Sequence, residues 1–342
     1  MKKILVSFVV LLLIAGFAGF YFYKAILAPI VSLEDQRQEI TVHIPTGTDY
    51  SELKTILSDS SIIQNEKSFD LVARMMRFSN VKPGRYTIKN NWSNKNLISL
   101  LRSGNQSAVN LTFNNVRTIQ DLAGFFSHRL ESDSSELLSY FLSDKVLKLN
   151  DKTEENILTL FIPNTYELFW NTSPKKLVER MATEHDKFYD KLRKEKMKAL
   201  ELSSEEVYTL ASIVQKETLV SAEKPRVAGV YINRLKRGQL LQADPTVVFA
   251  SGEFGLRRVL NKHLAIDSPY NTYKYEGLPP GPIAMPDITT IDAVLNYEKH
   301  KYLYFCASPD NSGKHLFAKT LVQHNRNADK YRAYLNKRRI YK

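Results

Sequence analysis

The chain has too few cysteines for a disulfide framework and no recognisable set of metal ligands. Cys306 is the single cysteine among 342 residues, so no disulfide can form within the chain and folding does not depend on oxidation. His300, His315 and His324 are close in sequence, but their spacing matches no known metal motif. The sequence therefore predicts no metal site.

Acidic residues are scarce relative to basic ones. The chain has 36 Asp and Glu against 48 Lys and Arg, which gives a formal net charge of +12 at pH 7. Such a charge favours anionic surroundings, which include nucleic acid, lipid headgroups and acidic polymers of the cell envelope.

Charged residues are absent from one segment near the N terminus. Residues 4–23 read ILVSFVVLLLIAGFAGFYFY, and at about 1.5 Å per residue a helix of this length spans the roughly 30 Å hydrocarbon layer of a bilayer. The stretch is longer than the apolar part of a signal peptide (about 7–15 residues) and ends in aromatic residues, as at a membrane interface. We expect an uncleaved single-pass anchor, with a cleaved signal peptide as the alternative.

The residues that flank this segment indicate its orientation. Lys2 and Lys3 favour a cytoplasmic N terminus, although Lys24 beyond the span weakens the asymmetry. The sequence therefore predicts a protein of the cytoplasmic (inner) membrane whose remaining residues lie in an extracytoplasmic or periplasmic space. This placement argues against nucleic acid as a partner.

Local patterns after the anchor predict a small subdomain. Alternating Ile40, Val42 and Ile44 indicate a strand, and two helical stretches follow. The string RYTIK after a KPG turn indicates a second strand, and a short helix closed by Gly104 completes a β-α-α-β-α unit.

The expected fold class is α+β, with a larger mixed α/β domain after the small subdomain. The predicted segments are a cytoplasmic stub and transmembrane anchor (1–23), a linker (24–37), the small subdomain (38–106) and the larger domain (107–342), which is mainly helical at 107–200 and rich in motifs at 201–342.

One helix of the larger domain carries a carboxylate on its apolar face. Ser203 and Glu206 have capping-box spacing at the start of SSEEVYTLASIVQKETL, and apolar residues recur with helical spacing from Val207. One more turn places Glu217 on the same face. Burial and the negative end of the helix dipole both raise the pKa of a carboxyl group, which suits a proton donor near neutral pH. The alternative is a helix that ends near residue 215 and leaves Glu217 in solvent.

Two later loops are rich in side chains that suit sugar recognition. Five of the thirteen prolines fall between Pro269 and Pro286, so this stretch is a stiffened loop. Polar side chains on a rigid wall can pair with sugar hydroxyls at a low entropic cost, although each of them could instead cap a turn. The candidate binding residues are Gln242, Asp244 and Thr246 in the first loop and Ser268, Tyr270, Asn271 and Thr272 in the second.

Taken together, these segments resemble the MltG-type (YceG-like) endolytic murein transglycosylases. The matching strings are LASIVQKET, RVAGVYINRL, LQADPTV, IDSPYNTY, GLPPGPIAMP and YLYFCA, with KPGRYTI, NLISLLRSG and FIPNTYELFW earlier in the chain. The resemblance covers nearly the whole chain. It implies that the small subdomain is LysM-like and binds glycan, and that the larger domain is catalytic.

The resemblance also implies an activity. Members of this family cut glycan strands internally between N-acetylmuramic acid and N-acetylglucosamine and leave a 1,6-anhydro ring on the muramic acid. The family's catalytic glutamate falls on Glu217, which would first protonate the glycosidic oxygen and then take the proton of the muramic C6 hydroxyl. No metal or organic cofactor is implied, and the expected partners are peptidoglycan strands, the membrane and penicillin-binding proteins.

Two other functions are compatible with the sequence. A hydrolase would use Glu217 with Asp244 or Asp267 as a second carboxylate, and a non-catalytic anchored scaffold would only bind glycan. The chain departs from the family pattern at Gln323, where an acidic residue is expected, and Asn233 is expected to brace its helix.

Overall fold

The computed structural model describes residues 2–33, 38–256, 258–310 and 312–338. The chain divides into two compact units. The first comprises Met1–Leu111, Arg129–Ser132 and Tyr166–Ser173, and the second comprises Thr112–His128, Asp133–Thr165 and Pro174–Lys342. The expected mixture of helices and strands is confirmed.

The first unit begins with a helix that is long and apolar enough to cross a membrane. This candidate span is Lys3–Ile26, within a helix whose apolar side chains are almost all exposed. The elements of the unit are, in order, α1 (Lys2–Ile26), β1 (Glu39–Ile44), α2 (Tyr50–Asp59), α3 (Glu66–Met75), β2 (Gly84–Lys89) and α4 (Asn94–Ser103).

The β-α-α-β-α order predicted for residues 38–106 agrees with these elements. Strands β1 and β2 pair antiparallel, with Glu39 opposite Lys89 and Ile44 opposite Gly84. Asp49 forms the capping box of α2, and Gly104 ends α4 in the left-handed conformation that a residue without Cβ adopts freely. The small sheet and the three helices share one apolar core.

The segment predicted as a linker is packed in the part that the structure describes. Helix α1 continues to Ile26, and Ala25 and Val31 are buried in the core of the first unit. The backbone N–H of Val31 donates to the carbonyl of Trp92 (3.1 Å), and Asn94 Nδ2 donates to the carbonyl of Ala25 (2.9 Å). Residues 25–33 are therefore part of the fold of this unit, and the rest of the predicted linker, 34–37, lies outside the described residues.

The division between the units differs from the boundary expected at residue 107. It falls within two strands that pair with each other, β3 (Val109–Phe113) and β4 (Asn164–Leu168). This pairing brings residues 166–168 to the end of the first unit, which the local pattern of either strand cannot indicate.

The second unit is mainly helical and ends in a hairpin and a helix. Its elements are α5 (Ile119–Ser127), α6 (Ser134–Phe141), α7 (Asp144–Leu149), α8 (Pro174–Phe188), α9 (Lys191–Leu200), α10 (Ser204–Glu217), α11 (Lys224–Leu235), α12 (Asp244–Ser251), α13 (Asn261–Leu264), α14 (Ile288–Leu295), β5 (Tyr304–Ala307), β6 (His315–Ala318) and α15 (Leu321–Lys337), with 3₁₀ turns at Ile157–Leu160 and Ser221–Glu223.

Helix α10 lies in the core of this unit. Its residues from Val207 to Val214 are all buried, and it packs against α11, α12 and α14. The middle of the helix is therefore enclosed on every side, whereas its ends carry polar residues such as Glu206 and Lys216 that are exposed. Strands β5 and β6 pair antiparallel, with Tyr304 opposite Ala318.

Candidate active site

Helix α10 carries Glu217 at its last turn. Ser203 caps the first turn and Glu206 completes the capping box, as the spacing predicts. The helix includes Glu217 and ends at Thr218, whose backbone is extended. The alternative of a helix that ends near residue 215, with Glu217 in solvent, is therefore wrong: the glutamate is partly buried at the end of a core helix.

The environment of Glu217 raises its pKa. The Tyr231 hydroxyl on α11 donates a hydrogen bond to Glu217 Oε1 (2.6 Å). The pKa of Glu217 is raised to about 7. Burial is the largest cause and the negative charge of Asp244 adds to it, whereas the Tyr231 hydrogen bond and the positive charge of Arg234 oppose the increase. The group can therefore give up and take back a proton near neutral pH.

Arg234 anchors the loop that follows α11. Its Nε donates to the carbonyl of Leu303 (2.7 Å), and its Nη1 donates to the carbonyls of Leu240 (3.1 Å) and Leu241 (2.8 Å) and to Gln242 Oε1 (3.2 Å). The buried guanidinium thus holds the start of the loop that carries Asp244, and it also lines the small cavity.

Two cavities share Glu217 and Asp244 in their walls. The large cavity, of about 1000 Å³, extends from these carboxylates towards the loop after α12 and the C-terminal half of α15. The small cavity, of about 320 Å³, lies towards α11 and the β5–β6 hairpin. A polymeric ligand that filled both cavities would therefore lie with an internal unit, and not an end, beside Glu217.

A third cavity, of about 250 Å³, shares part of its wall with the large one. We call it the side cavity; Arg117 and Phe249 line both it and the large cavity. Within the described ranges, no group of three or more His, Cys, Asp or Glu side chains is arranged to hold a metal ion.

Two of the predicted binding residues line these cavities beside Glu217. Asp244 is exposed at the start of α12, and its Oδ1 accepts a hydrogen bond from the Tyr273 hydroxyl (2.6 Å). Gln242 is exposed in the small cavity, where its backbone has a positive φ of 50°. Both side chains are placed to contact a ligand.

The expectation that Thr246, Asn271 and Thr272 contact sugar does not fit the structure, because all three are buried. Thr272 Oγ1 accepts from the backbone N–H of Ala243 (3.0 Å) and pairs with Thr246 Oγ1 (2.8 Å). Asn271 Nδ2 donates to the carbonyls of Leu264 (3.0 Å) and Ile266 (2.8 Å). Thr246 and Thr272 therefore join the two loops to each other, whereas Asn271 holds its own loop against the preceding residues.

Ser268 and Tyr270 are half-buried and lie away from Glu217. Ser268 Oγ accepts from the backbone N–H of Tyr270 (3.3 Å), as a turn residue does. Tyr270 lines the side cavity, with its ring centroid 4.7 Å from that of Phe249. Of these two, only Tyr270 faces a cavity, and it is not one of the two that Glu217 lines.

The second half of the proline-rich stretch is buried against α10 and is not exposed at the surface. Residues 281–286 are buried, and the backbone N–H of Ile283 donates to Ser212 Oγ on α10 (3.0 Å). Ile283 lines the large cavity and Pro282 the side cavity. Its rigidity therefore fixes the helix that carries Glu217.

Several site residues have no local signal in the sequence. Tyr231 lies on the apolar face of α11, where its hydroxyl gives no sign that it will meet Glu217. Arg117 and Lys216 line the large cavity, and they come from chain segments about one hundred residues apart. Asn233, expected to brace its helix, donates to the carbonyls of His300 (2.8 Å) and Tyr302 (2.9 Å). Gln323 is exposed on the first turn of α15.

Comparisons with known proteins all point to one family. Residues 42–330 match the model of the YceG-like family. The chain is 31% identical over 344 residues to the endolytic murein transglycosylase of Bacillus subtilis, with 94% of this chain and 91% of that protein covered. It is 27% identical to the endolytic murein transglycosylase of Streptococcus pneumoniae strain R6, of which the chain spans 64%.

A solved structure shares the fold. The crystal structure of a yceG-like protein from Listeria monocytogenes aligns with a TM-score of 0.57 and 28% sequence identity, covering 84% of this chain and 98% of that one.

Proposed function

This chain belongs to the YceG-like family, and from that premise we propose that it is an endolytic murein transglycosylase, a lyase that cleaves peptidoglycan strands internally. One observation carries the assignment to a site. Glu217, whose pKa is raised to about 7, lies in the walls of two cavities at once, so that a glycan strand can extend from it in both directions.

The proposed mechanism uses Glu217 twice. The protonated carboxyl gives its proton to the glycosidic oxygen, and the bond between that oxygen and C1 of the muramyl residue breaks. The resulting carboxylate takes the proton of the muramic C6 hydroxyl, whose oxygen forms the bond to C1 and closes the 1,6-anhydro ring. No water is consumed, and the intramolecular attack has a high effective concentration. A single group with a pKa near 7 suits both steps.

Tyr231 and Asp244 set the state of this group. Tyr231 holds Oε1 in place and favours the carboxylate, and the charge of Asp244 favours the protonated form. We propose Asp244 and Gln242 as sugar-contacting residues, because both are exposed beside Glu217.

A second candidate is supported by one feature of the site. Asp244 lines both cavities with Glu217, so it could act as the second carboxylate of a hydrolase. Asp267 does not share those cavities; its exposed carboxylate pairs with Lys274 (3.0 Å) and with the Tyr275 hydroxyl (2.5 Å).

Mass spectrometry of the reaction products tests the assignment. The full chain in detergent and its Glu217→Gln variant are incubated with uncrosslinked glycan strands. The transglycosylase produces internal ends that are one water lighter than reducing ends, and the variant produces none. Reducing ends that incorporate ¹⁸O from labelled water would instead establish the hydrolase. If both proteins bind the strands and neither cleaves them, the chain is a non-catalytic glycan-binding scaffold.

We also propose that the cell-wall activity takes place at the outer face of the cytoplasmic membrane. The support is the apolar helix α1, which has Lys3 in its first turn, and the continuity of its last turn with the core of the first unit. In this arrangement residues 38–106 form a LysM-like unit that meets strands near the membrane, where penicillin-binding proteins extend them. Protease protection in sealed vesicles tests the orientation, and co-purification with these synthases tests the partnership.

A further inference from the structure

A pair of cationic side chains lines the large cavity next to Glu217. Lys216 precedes the glutamate in α10, and Arg117 precedes Thr118, the N-cap of α5. The two charges influence each other: burial lowers the pKa of Lys216, and the nearby Arg117 lowers it further. Lys216 is exposed and Arg117 is half-buried, and two positive charges on one wall of a cavity favour a negatively charged ligand there.

Neither cation forms an ion pair with a carboxylate among the residues that the structure describes. Lys216 Nζ donates to the amide oxygen of Asn115 (2.9 Å), and the Arg117 guanidinium lies 3.7 Å from the ring centroid of Phe254. The carboxylate whose charge reaches Lys216 is Asp287, which already accepts from Gln215 Nε2 (2.7 Å). A guanidinium stacked on a ring still presents its N–H groups at its edge.

Other charges around these cavities do not cancel the pair. Arg258 and Arg332 also line the large cavity, and Arg332 is paired with Asp329. The acidic members of that lining are Glu217, which is mostly protonated below pH 7, and Asp244. Glu154 and Glu155 line the side cavity with Arg117, and neither forms an ion pair with it among the described residues.

The backbone fixes Arg117 in this position. Thr118 closes a capping box with Asp121, and the carbonyl of Val116 accepts from the backbone N–H of Met285 (2.7 Å). The residue is therefore held between the start of α5 and the buried proline-rich loop, which reduces the entropy lost on binding.

We propose that Arg117 and Lys216 form a subsite for a carboxylate on the C3 lactyl arm of the muramyl residue whose glycosidic bond is cleaved beside Glu217. This inference rests on the proposed function, because only a muramyl residue has such an arm. In murein the arm ends in a stem peptide with its own carboxylates, or, once the peptide has been removed, in the lactyl carboxylate itself. The subsite lies beside Glu217 in the wall of the large cavity, and Arg117 also lines the side cavity.

The subsite has a consequence for specificity. A strand with charged arms binds more tightly than the same strand with neutral arms, and a chitin oligosaccharide, which has no arm, binds weakly. Charge-assisted hydrogen bonds in a partly enclosed site make a difference of at least about tenfold in affinity the expected size.

Binding and cleavage are measured with three preparations of uncrosslinked strands. One has native stem peptides, one has been treated with an amidase that removes the stems, and one has its carboxylates converted to methylamides. The proteins are the full chain in detergent, the double variant Arg117→Gln/Lys216→Gln, and the matched control Lys145→Gln/Lys301→Gln, which removes two exposed charges outside the three cavities.

We expect the wild-type chain to lose at least about tenfold in kcat/KM on the neutralised strands, mainly through KM. The double variant should show this loss on charged strands and no further loss on neutralised ones, and the control should behave as the wild type. Preference for native over amidase-treated strands assigns the stem carboxylate, and the reverse assigns the lactyl carboxylate. A double variant that loses the same factor on charged and neutralised strands would overturn the subsite.

Two additions keep the test independent of folding and of catalysis. Lys216→Arg retains the charge and should retain the preference, whereas Lys216→Gln alone should reduce it. Dissociation constants of the Glu217→Gln chain for the three preparations measure the subsite without turnover. If the Glu217→Gln chain binds charged strands more tightly than neutralised ones, but the wild type yields no anhydro ends, the subsite is supported and the proposed reaction is wrong. If the affinities for charged and neutralised strands are equal, the subsite is wrong.

Discussion

The hydroxyl of Tyr231 donates a hydrogen bond of 2.6 Å to Oε1 of Glu217, from the neighbouring helix. The same carboxyl has a pKa raised to about 7 by burial, so the tyrosine opposes the dominant effect of its surroundings. The balance between the two sets the pH range in which one glutamate can serve as acid and then as base.

Removal of the Tyr231 hydroxyl should move the alkaline limb of the pH–activity profile to higher pH. In Tyr231→Phe the hydrogen bond that favours the carboxylate is lost, so the pKa of Glu217 rises above 7 and the acid stays protonated to higher pH. We expect a shift of about one pH unit in the kcat/KM profile, with a lower maximum because Oε1 is less well held. Tyr208→Phe is the matched control, since it removes the hydroxyl that donates to the Phe161 carbonyl (3.1 Å) within the same core. A limb that stays in place in Tyr231→Phe would contradict the assignment.

The change Asp244→Asn should move the same limb in the opposite direction. The negative charge of Asp244 raises the pKa of Glu217, so removal of this charge lowers that pKa. The alkaline loss of activity should therefore begin at a lower pH than in the wild type. We expect a shift of about half a pH unit, measured in the same profile. Asp267→Asn, at an exposed carboxylate outside the cavities of Glu217, should leave the profile unchanged. A loss of several orders of magnitude at every pH in Asp244→Asn would instead favour the two-carboxylate hydrolase.

Glu217→Gln should stabilise the fold at neutral pH. The folded-state pKa lies above the ordinary value of 4.5, so the fold loses stability as the pH rises from 4.5 to about 7, and the loss is complete above that range. Allowing for the partial exposure of the side chain, we expect the variant to gain about 1–2 kcal/mol at pH 8 and nothing at pH 4. Calorimetry of the full chain is the suitable measurement, because both tryptophans, Trp92 and Trp170, belong to the first unit.

Glu205→Gln provides the control of opposite sign. Burial opposes ionisation of Glu205, but its hydrogen bond and ion pair with the buried Lys152 hold its pKa at about 2. Its contribution is present above pH 4.5 and is lost as the pH falls towards 2. The variant leaves Lys152 without its partner and should lose about 3 kcal/mol at pH 8. Equal effects of the two variants at pH 8 would refute the raised pKa of Glu217.

Gly281→Ala should disturb the loop beneath α10. A Cβ at this position would overlap the backbone carbonyl oxygen of Glu155, which cannot turn away as a side chain does. The loop must shift, and the hydrogen bond from Ile283 to Ser212 shifts with it. We expect a loss of about 1–3 kcal/mol in stability and a lower kcat.

Gly124→Ala is the matched change in a helix. A Cβ there meets no atom within 4 Å, so the substitution should be neutral or stabilise the chain by up to about 1 kcal/mol. If Gly281→Ala melts at the same temperature as the wild type, the loop is not as closely packed as described.

The sequence by itself determined the features that depend on neighbouring residues. The capping box at Ser203 and the apolar period that followed it led to Glu217, and alternation with turn signals located β1 and β2. Such patterns are local because a helix repeats within four residues and a strand within two. A charge-free run of twenty residues likewise needs no partner to predict a membrane-spanning helix.

Only the tertiary structure decided which polar side chains are available to a ligand. Asp244 and Thr246 are two residues apart, yet one is exposed beside Glu217 and the other is buried against Thr272. Tyr231 meets Glu217, and Arg117 and Lys216 line the same cavity, because tertiary packing brings separate segments together. The sequence pattern of each segment is compatible with many such pairings, and the close packing of the core selects one of them.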